Sequence, residues 1–305
     1  MDPVVRPRPS RARWASGLAA IGLAIVAGLL VALAIDLVRS GGPAGWLARH
    51  QLTPPYDARG DRIAIGDRSL YIDCRGEGAP TVVLEAGSGA DSSTWNAVLD
   101  ELASMTRTCA YDRAGRARSD PVERHTLADS AAETRALLRA AGEPGPYVLV
   151  GHSLGGAYIR VFAAKNREDV VGLVLVDTFD PDLLEDRIHP LLGPLRPDYE
   201  ATLDGLRATV SRVDSLDWPT SEAQLRSSSV AGLPIEVLRA PRHEPRLSER
   251  ENQRIAAAWL VAFELLSPGL VRNTTAWGAG HNIQIDRPDL VIEAARRIVD
   301  LARGR

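Results

Sequence analysis

The chain has 305 residues, of which 45% are hydrophobic and 25% charged, and its formal net charge is −3. That length suits one large α/β core, and the lack of a basic field argues against nucleic acid as a partner. No His/Cys/Asp cluster has metal-ligand spacing and no Gly-rich phosphate loop follows a strand, so the expected chemistry uses neither metal nor cofactor.

Arg6, Arg8, Arg11 and Arg13 precede Trp14, and the stretch from Ala15 to Ile35 holds no charged residue. At about 1.5 Å per helical residue it spans roughly 30 Å of hydrocarbon. The expected organisation is a cytoplasmic arm at 1–14, a transmembrane helix at 15–38, a linker at 39–60 and a catalytic domain at 61–305. Arginines on the N-terminal side keep that end inside and put the catalytic domain on the extracytoplasmic side of the cell membrane. A cleaved signal peptide ending at Ala32-Leu33-Ala34, giving a secreted protein, is the competing reading; the apolar region is long for one.

Past the linker, Ser69–Cys74 reads as a strand, and so does Thr81–Glu85, which leads into Ala86-Gly87-Ser88-Gly89. Thr106–Tyr111 is a further strand, followed by the turn Asp112-Arg113-Ala114-Gly115-Arg116-Ala117-Arg118-Ser119-Asp120. The run Val148-Leu149-Val150 then stops at Gly151-His152-Ser153-Leu154-Gly155, and Ala157–Ala164 is helix-compatible. So sharp a strand-to-helix turn forces Ser153 into a strained backbone, and Gly151 and Gly155 provide the room it needs. The turn lifts the Ser153 hydroxyl above the sheet and aims the Leu154 amide towards a developing oxyanion. A Gly-rich turn with an incidental serine is the plainer alternative, against which the flanking strand and helix weigh.

Gly172–Asp177 is another apolar strand, and it ends in a carboxylate. From Thr178 to Gly232 the sheet pattern lapses into a proline-rich segment with helical stretches such as Tyr199–Val213. Leu183, Leu184, Ile188, Leu191 and Leu192 are candidates to line an acyl pocket there, or simply to pack that segment onto the core. Pro234–Leu238 resumes the sheet, and Glu249–Leu266 follows as an amphipathic helix with Trp259 and Phe263 one turn apart. Val271–Ala276 is the last strand, and Asp289–Leu301 closes the chain as a helix. Between them His281 sits on a Gly-flanked loop, where an imidazole can reach a neighbouring elbow and act as a base. His50, His125 and His189 fall in linker or loops, and His152 is expected to point away from its neighbour Ser153.

These motifs, in this order, resemble the α/β-hydrolase family from roughly Ile63 onwards. The resemblance implies an α/β fold with a mostly parallel eight-stranded sheet flanked by helices, and a helical lid at 178–232. It also implies a serine hydrolase that cleaves a carboxylic ester, or an amide or thioester, through an acyl-enzyme. Ser153 would be the nucleophile, His281 the base, and the backbone N–H groups of Ser88 and Leu154 the oxyanion hole. Two departures stand out. Ala86-Gly87 replaces the His-Gly pair of many members, and Ala117 replaces a glycine in the family's Tyr-Asp-x-x-Gly-x-Gly-x-Ser turn.

The acid has two candidates. In the commoner arrangement it follows Pro234–Leu238, where Glu244 is the nearby carboxylate; in the other it ends the preceding parallel strand, where Asp177 stands. Asp177 is preferred, with Glu244 the alternative; Asp180 and Asp182 lie further into the loop. Glu85 either ties down the oxyanion loop or is an unspecific solvated or hydrogen-bonded carboxylate. A catalytically silent binding module competes with the enzyme, as do a serine haloperoxidase and an acyltransferase on the same triad. The expected partners are a small-molecule acyl substrate and, through the N-terminal helix, the membrane. In the family's strand order Ser69–Cys74 and Thr106–Tyr111 are antiparallel neighbours, so Cys74 and Cys109 either bridge or stand as reduced core thiols.

Overall fold

The computed structural model describes residues 59–178, 190, 196–241, 248–268 and 271–304. The apolar N-terminal stretch, Glu244, Asp180, Asp182, Ile188 and the leucines at 183, 184, 191 and 192 lie outside the described residues. Among the described residues no helix is long and apolar enough to cross a membrane.

In chain order the strands are β1 Asp61–Ala64, β2 Ser69–Arg75, β3 Thr81–Glu85, β4 Thr108–Tyr111, β5 Tyr147–His152, β6 Val170–Val176, β7 Ile235–Arg239 and β8 Val271–Thr275. They form a single eight-stranded sheet in the order β1-β2-β4-β3-β5-β6-β7-β8. Strand β2 is antiparallel to both of its neighbours, and the five pairings from β4 to β8 are parallel. The helices are α1 Asn96–Ala103, α2 Leu127–Ala140, α3 Leu154–Lys165, α4 Arg196–Val213, α5 Trp218–Arg226, α6 Glu249–Glu264, α7 Ile283–Asp286 and α8 Pro288–Ala302.

Side chains alternate across the central strands, which divides the core into two layers. Val82, Leu84, Val148, Val150, Val174 and Val176 face the layer closed by Leu99 and Leu102 of α1 and by Val291 and Ile298 of α8. Val83, Leu149, Leu173, Leu175 and Val237 face the other, with Leu137 of α2, Phe162 of α3, Trp218 of α5 and Phe263 of α6. On α6 the Trp259 and Phe263 rings stack 6.0 Å apart, as their spacing predicts. Local signals fix the helix starts: Thr126 and Asp129 form a capping box on α2, and Ser248 and Glu251 form one on α6.

Strand β4 begins two residues later than the apolar pattern suggests. The Thr106 N–H bonds Leu102 O, and its hydroxyl donates to Pro80 O, so these groups serve the turn after α1 rather than the ladder. Cys74 on β2 stands opposite Cys109 on β4, and the two form a disulfide.

Candidate active site

The C-terminal ends of β5, β6 and β8 bring the candidate side chains together. Ser153 caps α3 with φ 52° and ψ −121°, a left-handed conformation that a non-glycine residue adopts only under constraint. Its N–H bonds Val176 O at 2.9 Å, which pins the elbow to β6. The glycines beside it are required by space: a Cβ on Gly151 would lie 2.6 Å from Gly155 O, and one on Gly155 would lie 2.5 Å from Glu85 O. Helix α3 therefore begins at Leu154, with its glycines in the first turn, ahead of the Ala157 start that propensity suggests.

Asp177, directly after β6, accepts a 2.7 Å hydrogen bond on Oδ2 from His281 Nδ1. Its other oxygen accepts the Ala240 N–H at 3.1 Å, and its own N–H donates to Leu238 O at 2.8 Å. The carboxylate is 4% exposed and the imidazole 52%, so the acid is buried behind a ring that faces solvent. With Nδ1 engaged by Asp177, Nε2 is the nitrogen available to a nucleophile or leaving group. Among the described residues no hydrogen bond joins Ser153 Oγ to that ring; such contacts commonly tighten only when substrate binds. A pocket beside Asp177 is lined by Thr178, Arg239, Ala240, Trp259 and Phe263.

His152 turns to the base. Its Nε2 donates to His281 O at 2.9 Å, and the two rings lie 4.7 Å apart. Burial, reinforced by the neighbouring His281, lowers its pKa to about 4, so it remains neutral beside the His281 ring.

The loop after β3 lies against the elbow: a Cβ on Gly87 would stand 3.3 Å from Ser153 Cβ and 3.0 Å from His152 Nδ1. Arg113 anchors this loop from below. Its guanidinium donates to Ala86 O at 2.6 Å and Gly87 O at 2.7 Å, pairs with buried Glu85, and meets Asp214 at 3.1 Å. Burial works against the Arg113 charge, but Glu85 and Asp214 prevail and keep it protonated. Glu85 is thus buried and hydrogen-bonded, accepting from Tyr111 and from the same Arg113 guanidinium that holds the loop.

A model of the alpha/beta hydrolase family matches residues 82–294, the span from β3 to α8. The chain belongs to that family. A relative in Bacillus subtilis, the uncharacterized protein YqjL, is 28% identical over 223 residues, or 71% of this chain and 82% of its own length. The chain spans only 18% to 26% of three longer curated relatives. A thermophilic esterase from Thermogutta terrifontis has a similar fold, with a TM-score of 0.52 at 21% identity over 79% of this chain and 97% of its own. A bacterial membrane phospholipase A reaches a TM-score of 0.56 at 19% identity over 96% of this chain and all of its own. At these identities the two structures testify to the fold.

Within the alpha/beta hydrolase, Ser153, His281, Asp177, Ser88 and Leu154 lie around one site, whereas Glu244 falls outside the described residues. Ala117 takes φ 36°, the left-handed backbone that explains why the family's turn carries glycine there. Sequence reasoning missed Arg113 and Asp214. Arg113 was visible as a cation inside an otherwise tight turn; Asp214, 101 residues away, carried no local signal.

Proposed function

We propose that this chain is a serine hydrolase that cleaves a carboxylic ester through an acyl-enzyme, with amides and thioesters as the lesser substrates. The observation that carries the reading is the Asp177–His281 hydrogen bond beside the strained Ser153 elbow. Ser153 Oγ attacks the substrate carbonyl while His281 Nε2 takes its proton, and Asp177 stabilises the resulting imidazolium. The Ser88 and Leu154 N–H groups receive the negative charge that forms on the carbonyl oxygen. As the tetrahedral adduct collapses, His281 returns the proton to the departing alcohol. Water, deprotonated by His281, then attacks the acyl-Ser153 ester, and a carboxylic acid leaves with Ser153 regenerated.

The apolar stretch from Ala15 to Ile35 supports a single-pass anchor, with arginines inside and the hydrolase domain outside the cytoplasm. The Cys74–Cys109 disulfide supports the same placement, because such bonds persist in oxidising compartments. Steady-state hydrolysis of p-nitrophenyl esters of graded acyl length by membrane-extracted full chain tests the activity. Turnover that Ser153→Ala abolishes supports the proposal; folded parent protein inert on every ester, amide and thioester tried favours the silent binding module.

A further inference from the structure

Asp214 follows helix α4 within the 178–232 insertion, yet its carboxylate reaches the loop after β3. One oxygen accepts from the Ser88 hydroxyl. The other accepts the Gly89 N–H at 3.2 Å and Arg113 Nη2 at 3.1 Å. Arg116 adds a second strap, donating to Val213 O and standing 3.9 Å from the Asp214 carboxylate. Both Asp214 and Arg113 are nearly fully buried, so these are fixed contacts and not surface pairs.

The Gly87–Ser88 bond is trans, so its C=O and N–H point in opposite directions. Arg113 holds the Gly87 carbonyl, which directs the Ser88 N–H away from the guanidinium. Among the described residues that N–H has no hydrogen-bond acceptor. Asp214 fixes the other side of the same residue through its hydroxyl and through the next amide. Without both clamps the peptide could rotate and turn its carbonyl towards the place where negative charge develops.

We infer that Asp214, acting with Arg113, is a positioning residue that couples the inserted helical segment to the oxyanion loop and holds the Ser88 amide ready for the transition state. Neither side chain reaches the reacting atoms. Their effect is read through a backbone donor, whose full loss costs on the order of 10²–10³ in kcat. This inference rests on the proposed serine hydrolase reading.

The test uses full-chain protein with p-nitrophenyl butyrate and a trifluoromethyl ketone, whose adduct with the nucleophile places an oxyanion in the hole. Asp214→Asn is expected to lower kcat by roughly 10- to 100-fold, with KM within about threefold of the parent. Ketone inhibition should weaken by the same factor, and the pH profile set by His281 should keep its shape. Ser88→Ala keeps the amide but loses the hydroxyl contact, so it should lower kcat about three- to tenfold. Adding it to Asp214→Asn should then cost little more. If Asp214→Asn does not fold, the Ser88→Ala ratio of kcat to ketone affinity decides alone. Folded variants with kcat within about twofold of the parent overturn the inference, as does a kcat loss unmatched by weaker ketone binding. Either failure leaves Ser153-dependent turnover in the parent intact, whereas loss of that dependence removes the serine hydrolase reading itself.

Discussion

Asp177 and His281, 104 positions apart, meet in a 2.7 Å hydrogen bond across the ends of β6 and β8. The contact specifies the tautomer of the base, because Nδ1–H donates to the carboxylate and leaves Nε2 as an acceptor. It also puts a buried carboxyl group behind a ring that faces solvent.

Replacing Asp177 by Asn should therefore lower kcat by about 10³- to 10⁴-fold, through the wrong tautomer and an unsupported imidazolium. Stability should change little, since the amide oxygen can still accept the Ala240 N–H. Glu244→Gln should keep most of the activity. A dead Glu244 variant beside an active Asp177 variant, in the same ester assay, would move the acid to Glu244, after β7 in the chain.

Much of the fold was legible because strand alternation and glycine placement are local. Thr81–Glu85 coincides with β3, and the strands around the elbow agree to within about two residues. The dyad was legible only as candidates, because no spacing rule brings a carboxylate after β6 to an imidazole after β8. The Arg113–Asp214 clamp was hidden for the same reason, and further because a buried ion pair looks like ordinary surface charge in a sequence. His152 was expected to point away from Ser153, but nothing in the sequence showed that its ring bonds the backbone of His281.

Acid should destabilise the fold before most carboxylates titrate. Burial holds the pKa of His152 and of His125 near 4, with His281 contributing at the first and Arg113 at the second. An unfolded chain takes up these protons near pH 6.5 while the folded one does not. Stability should thus be full above about pH 6.5 and fall as the pH drops towards 4, by at most about 2–3 kcal/mol per pH unit. Glu133, whose pKa burial raises, works in the opposite sense and is common to the proteins compared. Urea midpoints at pH 7, 6, 5 and 4.5 should show this slope, and His152→Gln should remove about half of it. An unchanged slope in the variant would mean that His152 is already charged in the folded state.

Reduction or removal of the Cys74–Cys109 bridge, which closes a separation of 35 residues, should cost about 3–4 kcal/mol by chain entropy. The double alanine variant, compared with oxidised parent by urea denaturation, measures this. A difference below about 1 kcal/mol would show that β2 and β4 constrain the unfolded chain as well without the bond.

Gly155→Ala probes the elbow by space alone. The new methyl would sit 2.5 Å from Glu85 O, a backbone atom that cannot move without shifting β3 and the loop that follows it. A loss of at least about 2 kcal/mol and most of the activity is expected. Parent-like turnover and melting temperature would show that β3 and α3 are not held this closely.

Labelling with a fluorophosphonate probe, followed by peptide mass spectrometry, tests the central claim most directly. The parent should carry one adduct, on Ser153, and Ser153→Ala should carry none while keeping the parent's melting temperature. His281→Ala should label far more slowly, because the base that activates the hydroxyl is gone, and both variants should lose on the order of 10⁴-fold in esterase turnover. Folded parent protein without an adduct, or an adduct elsewhere with Ser153→Ala still active, would contradict the account.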